Sequence, residues 1–147
     1  MLKDVLITVA SKKELEEGDN ESISFVTEGT LSCVLETCEI KYNESTATGM
    51  EGTVTTIKVE RDSVLLIREG TLNTMLIFEK GKTHTSGYET EYGTLQVGVT
   101  AQRIETNMKE FGGSINIEYM MDYNGAQGGK SSIQITVITK KDGKDNE

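Results

Sequence analysis

Alternation with a period of two is the feature that most constrains this chain. Ile115, Ile117, Tyr119, Met121 and Tyr123 alternate with Ser114, Asn116, Glu118, Met120 and Asp122. Successive side chains of a strand point to opposite faces, so this spacing sorts the residues into an apolar face and a polar one. The pattern recurs at Val5, Ile7 and Val9, at Thr55, Ile57 and Val59, at Leu95, Val97 and Val99, and at Ile133, Ile135 and Val137. Proline, which cannot donate to a ladder, is absent, while Gly numbers 15. A chain of 147 residues with this pattern reads as one all-β domain over residues 1–140. Residues 141–147 are charged and are expected to form a disordered tail.

Turn signals divide the pattern into pieces. Residues 11–20 are charged and read as a loop. A second strand runs from Ile23 to Gly29, and a third, unusually long one covers residues 30–42. Residues 43–52 form a polar loop, and Arg61-Asp62, Gly70, Gly81, Gly93, Gly112-Gly113 and Asn124-Gly125 mark turns. Residues 101–111 admit a helix through Ile104, Met108 and Phe111, in competition with a strand. About 8–10 strands joined by local turns argue an antiparallel meander. A meander of that size leaves two open edges unless it closes, so the pattern predicts an up-and-down closed β-barrel.

Charge and composition exclude several partners. The formal net charge is −9, which repels phosphate backbones and argues against nucleic acid. Asp4 interrupts the first apolar stretch, and no run approaches the ~20 apolar residues of a membrane helix. A cytoplasmic location is expected. Cys33 and Cys38 are five apart. On one continuous strand that odd separation places them on opposite faces, so they are expected to remain reduced and unbridged. Without further Cys or a second His they make no metal site, and no cofactor is expected. Residues 125–131 resemble a phosphate loop only at their Gly129-Lys130-Ser131 end. Asn124 stands where the first Gly belongs and a strand follows where a helix is needed.

The stretch 82–93 is the most polar candidate for a barrel lining. As a strand it presents His84, Ser86, Tyr88, Thr90 and Tyr92 on one face, expected to point inward. Arg68 shares a face with Val64 and Leu66, and an inward Arg needs a partner such as Glu44 or a ligand carboxylate.

The order of the pieces carries a resemblance. Phe25-Val26-Thr27-Glu28-Gly29 precedes Tyr42-Asn43-Glu44-Ser45, then Thr55-Thr56-Ile57-Lys58-Val59 and Arg68-Glu69-Gly70. Met75-Leu76-Ile77-Phe78, Tyr88-Glu89-Thr90-Glu91-Tyr92-Gly93 and Gly113-Ser114-Ile115-Asn116-Ile117-Glu118-Tyr119 follow. Over residues 2–139 this resembles the YwiB-like family of Firmicutes, a domain of unknown function with a calycin-type, lipocalin-like β-barrel. Arg68-x-Gly70 and Tyr88-x-Thr90-x-Tyr92-Gly93 are its most specific pieces. The chain has Glu91 where the resemblance leads one to expect Pro. The resemblance implies a small cytosolic bacterial barrel and brings no catalytic residue, substrate or cofactor.

Three functional readings stay open. The first is a non-enzymatic barrel binding a small, partly apolar or amphipathic ligand, lined by Arg68, His84, Tyr88, Thr90, Tyr92 and Glu44. The second is a solid barrel that pairs with a partner or a second copy, because Leu65 and Ile67 oppose Val64 and Leu66 and make both faces of one strand apolar. The third is an enzyme around His84, the only side chain with an ordinary pKa near neutrality. No nucleophile elbow supports the third.

Overall fold

The computed structural model describes residues 2–14, 20–71, 73–90 and 92–140, without the side chains of Glu89, Thr90 and Gln127. The expected tail at 141–147 and residues 15–19 of the expected 11–20 loop lie outside these residues; residues 11–14 and 20 are not loop but strand, because the ladder between the first two strands runs on to Glu14 opposite Asn20. Ten strands follow in order: β1 (Lys3–Glu14), β2 (Asn20–Val34), β3 (Thr37–Asn43), β4 (Thr53–Val59), β5 (Ser63–Gly70), β6 (Thr74–Glu79), β7 (Thr83–Thr90), β8 (Gly93–Lys109), β9 (Gly112–Tyr123) and β10 (Ala126–Thr139). A 3-10 turn, Thr46–Thr48, lies between β3 and β4.

All neighbours are antiparallel and form one sheet in the order β6-β5-β4-β3-β2-β1-β10-β9-β8-β7. Strands consecutive in sequence pair with each other, apart from β6 and β7, and the one non-sequential ladder joins β1 to β10, from Val5 opposite Thr139 to Lys13 opposite Ser131. The result is an up-and-down β-barrel, closed except at β6 and β7. At that seam the backbone ladder thins, among the described residues, to one bridge, Glu79 opposite Lys82. Side chains supply further ties. Ser86 Oγ donates to the Met75 carbonyl at 2.8 Å, and Glu79 carboxylate oxygens lie 3.1 Å from His84 Nε2 and 3.0 Å from Lys82 Nζ. The Gly81 amide donates to the Ala101 carbonyl of β8 at 3.0 Å.

Inward residues of every strand form one core. Val5, Ile7, Ile40, Ile57, Val99, Ile115, Ile117 and Ile135 are almost wholly buried. Branched aliphatic side chains suit this pleated, enclosed surface, which is why the period of two located the core face.

Three further details differ from the expectation. First, β2 runs without a break through Gly29, and the turn lies at Leu35 and Glu36. Gly29 is a close approach rather than a turn, since an added Cβ would collide with the Lys41 carbonyl and the Ile7 side chain. Second, that turn brings Cys33 opposite Cys38, and they form a disulfide with Cα atoms 4.0 Å apart. The opposite-face argument fails because the two residues belong to two strands, not one. Third, residues 101–109 continue β8 as a strand. A bulge between Ala101 and Arg103 shifts the parity, so Ala101, Ile104 and Met108 all face the core at a spacing that imitates a helix.

Candidate functional site

One end of the barrel interior is polar. The register aligns Tyr42, Thr55, Arg68 and Thr74 as a row across β3, β4, β5 and β6. The next row is Ile40, Ile57, Leu66 and Leu76, and the one after it Cys38, Val59, Val64 and Phe78. The apolar rows fill that part of the barrel with side chains. The polar row therefore forms a boundary between solid core and the end of the barrel.

Glu44 follows directly after β3 and points into this boundary, with its side chain 1% exposed. Its amide donates to the Thr53 carbonyl at 2.8 Å, which fixes the backbone. Its carboxylate accepts hydrogen bonds from Thr55 Oγ1 and, at 3.0 Å, from Thr48 Oγ1. Thr48 reaches it because the 3-10 turn folds back, capped by Ser45 Oγ accepting from the Ala47 amide. Arg68 Nε lies 3.9 Å from Glu44 Oε2. That is an ion pair without a direct hydrogen bond. Among the described residues, buried Arg68 Nε and Thr74 Oγ1 have no hydrogen-bond partner.

The aromatic side chains of this end respond to the same charges. Burial pushes the Tyr42 hydroxyl well above its ordinary range, and the Glu44 carboxylate pushes it further, against the opposing pull of Arg68. Burial also raises Tyr119 of β9, while Arg68 and a hydrogen bond with Ser131 act the other way. The Arg68 charge thus reaches both walls of the barrel. Tyr42 stacks at a tilt against Phe25 with centroids 6.1 Å apart, and Tyr119 meets Phe78 edge-on at 5.0 Å. Lys13 Nζ lies 3.5 Å from the Tyr123 hydroxyl. An open cleft of about 720 Å³ between the ends of β1, β2, β9 and β10 reaches Tyr119, Met121 and Ser131.

Of the residues singled out from sequence, the structure brings Glu44 and Arg68 together. Tyr88 is half-buried and packs against the core. His84 faces Glu79 at the seam, away from any serine nucleophile arrangement among the described contacts. The Thr90 backbone ends β7 opposite Gly93, and its side chain lies outside the described residues. Tyr92 does not point inward: it is 92% exposed. Parity stops where a strand stops, and Tyr92 lies in the turn beyond β7. Sequence reasoning missed the roles of Tyr42, Thr48, Thr55, Thr74 and Tyr119. Their parity was visible, but their common level depends on register. Among the described residues, no three His, Cys, Asp or Glu side chains group to hold a metal ion. No helix among them is long and apolar enough to cross a membrane.

A small up-and-down barrel with a solid apolar half and a polar, tyrosine-rich end is the class that this geometry defines. Residues 7–135 match the model of a family described as a domain of unknown function (DUF1934), and the chain belongs to that family. It is 26% identical over 137 residues to the uncharacterized beta-barrel protein YwiB of Bacillus subtilis (strain 168), covering 92% of this chain and 95% of that protein. The crystal structure of the ywiB protein from Bacillus subtilis superposes with a TM-score of 0.82 at 22% identity, over 95% of this chain and 94% of that one. That likeness establishes the shared β-barrel fold.

Proposed function

We propose that this protein is a cytoplasmic, non-catalytic barrel of calycin type that holds a small, partly apolar carboxylate at its polar end. The observation that carries the reading is the pair of buried polar atoms without hydrogen-bond partners, Arg68 Nε and Thr74 Oγ1, on register-paired residues of the polar row. Leaving a buried donor unmatched costs about 1–3 kcal/mol, so such groups invite an acceptor. A ligand carboxylate supplies one and takes its orientation from the guanidinium. Tyr42, Phe25 and Tyr119 offer apolar surface for the rest of the molecule. Glu44 balances the Arg68 charge and holds the side chain in place from one side. His84, Thr90 and Tyr92 have no part in this reading, and Tyr88 contributes packing.

The test is native mass spectrometry of the protein purified from its own host, compared with Arg68→Met prepared in the same way. An added mass on the wild type that is absent from the variant supports the reading. Bare protein in both preparations, from extracts rich in carboxylates, sinks it.

A second reading has its own observation. Leu65 pairs with Ile77 and Ile67 with Met75 on the outer face of β5 and β6, and Met75 is 41% exposed. This face would pair with a second copy. Light scattering during size exclusion that shows a monomer at high concentration removes it.

A further inference from the structure

We propose that Cys33 and Cys38 form a reversible dithiol–disulfide couple that exchanges with low-molecular-weight thiols at a surface cleft away from the polar end. The bond joins opposed residues of the β2–β3 hairpin, with Cα atoms 4.0 Å apart. The ladder holds this placement without help from the sulfurs. Residues 30–34 pair with 37–41, and β3 is laddered in turn to β4. Opening the bond therefore leaves the two thiols side by side, and closing it needs no chain search. The loop it closes is short, so its constraint on the unfolded chain is at the small end for a disulfide.

Access is built in. Cys33 is half-buried and borders a cleft of about 300 Å³, with Leu35, Glu36, Met108 and Lys109 among its walls. Cys38 also lines this cleft but is only 6% exposed and belongs to the core, so Cys33 is the more open of the two sulfurs. An incoming thiolate meets Cys33 Sγ first. A new S–S bond forms there, the protein bond breaks, and Cys38 Sγ leaves with the electron pair and takes a proton from water. A second thiolate attacks the external sulfur of the mixed disulfide. Cys33 is released as a thiolate and is protonated, and a small-molecule disulfide departs. Two electrons have passed from two thiols to the protein, and that small-molecule disulfide is the oxidant for the reverse direction. In thiol-rich compartments, bonds of this kind are transient or sensing rather than permanent braces. The couple lies next to the hairpin tip, where Leu35 is 99% exposed with a positive φ of 56°.

The experiment equilibrates the native full-length protein in glutathione buffers from reducing to oxidising. Thiols are then trapped with N-ethylmaleimide in denaturant and counted by intact mass. The expected result is one transition from two adducts to none within the buffered range, with an unchanged far-ultraviolet circular dichroism spectrum. A bond that opens only after denaturant is added overturns the proposal, as do thiols that stay free in the most oxidising buffer. For the order of attack, Cys38→Ser is expected to take up glutathione from its disulfide roughly tenfold faster than Cys33→Ser, because its remaining sulfur is the accessible one. Equal or reversed rates overturn the assignment of Cys33 as the attacked sulfur.

Discussion

Glu44 shows how much of this barrel is decided by single side chains. Removing a carboxylate from water costs several kcal/mol, and that cost is tolerable only with hydrogen bonds and a counter-charge in place. Thr48, Thr55 and Arg68 supply them here. The same low-polarity surroundings hold protons on Tyr42 and Tyr119, whose folded pKa values lie above the ordinary 10.0. The sign follows from linkage. The unfolded chain releases these protons from about pH 10 upward while the folded chain retains them, so stability is complete below that pH and declines as pH rises through and above it. In an alkaline ultraviolet titration, two of the five tyrosines are expected to ionise only as the fold is lost. Five tyrosines ionising together in a still-folded barrel would contradict the burial argument. Leu35 marks the opposite extreme. A non-glycine residue in the left-handed region costs about 1–2 kcal/mol, and this one buries nothing in return.

At the scale of elements, three features decide the shape. The bulge in β8 changes which residues face inward halfway along the strand. The two-residue turn at Leu35 and Glu36 divides one apparent strand into β2 and β3 and creates the disulfide. The seam is the third. Between β6 and β7 the missing ladder is partly replaced by side chains, with the inward Ser86 reaching the Met75 carbonyl. A net hydrogen bond is worth about 0.5–1.5 kcal/mol, and this one is exposed, which favours the lower half of that range. Ser86→Ala is therefore expected to lower stability by about 0.5–1 kcal/mol in urea unfolding. Thr85→Ala, its outward neighbour, is the control. Equal losses for the two variants would show that Ser86 has no special role at the seam.

At the scale of the molecule, closure is non-local. Val5 finds Thr139 at the opposite end of the chain, and nine residue pairs join β1 to β10. Cutting the chain after Tyr123 removes this junction and leaves β1 and β9 as bare edges. The truncated chain is expected to lose cooperative thermal unfolding by circular dichroism, and a sharp transition retained near that of the full chain would refute the requirement for closure. What the sequence by itself determined was the all-β class, the inner face of most strands and the turns at Arg61-Asp62, Gly81 and Asn124-Gly125. Those signals are local: side chains alternate within one strand, and turn chemistry acts over two to four residues. Membership of the barrel family was legible for the same reason, because ordered local pieces survive as a pattern. Only the tertiary structure decided that Tyr42, Thr55, Arg68 and Thr74 share a level, that Cys33 meets Cys38, and that Tyr92 turns to solvent. Each depends on where a strand ends or on its register against another strand, and a period of two is silent on both.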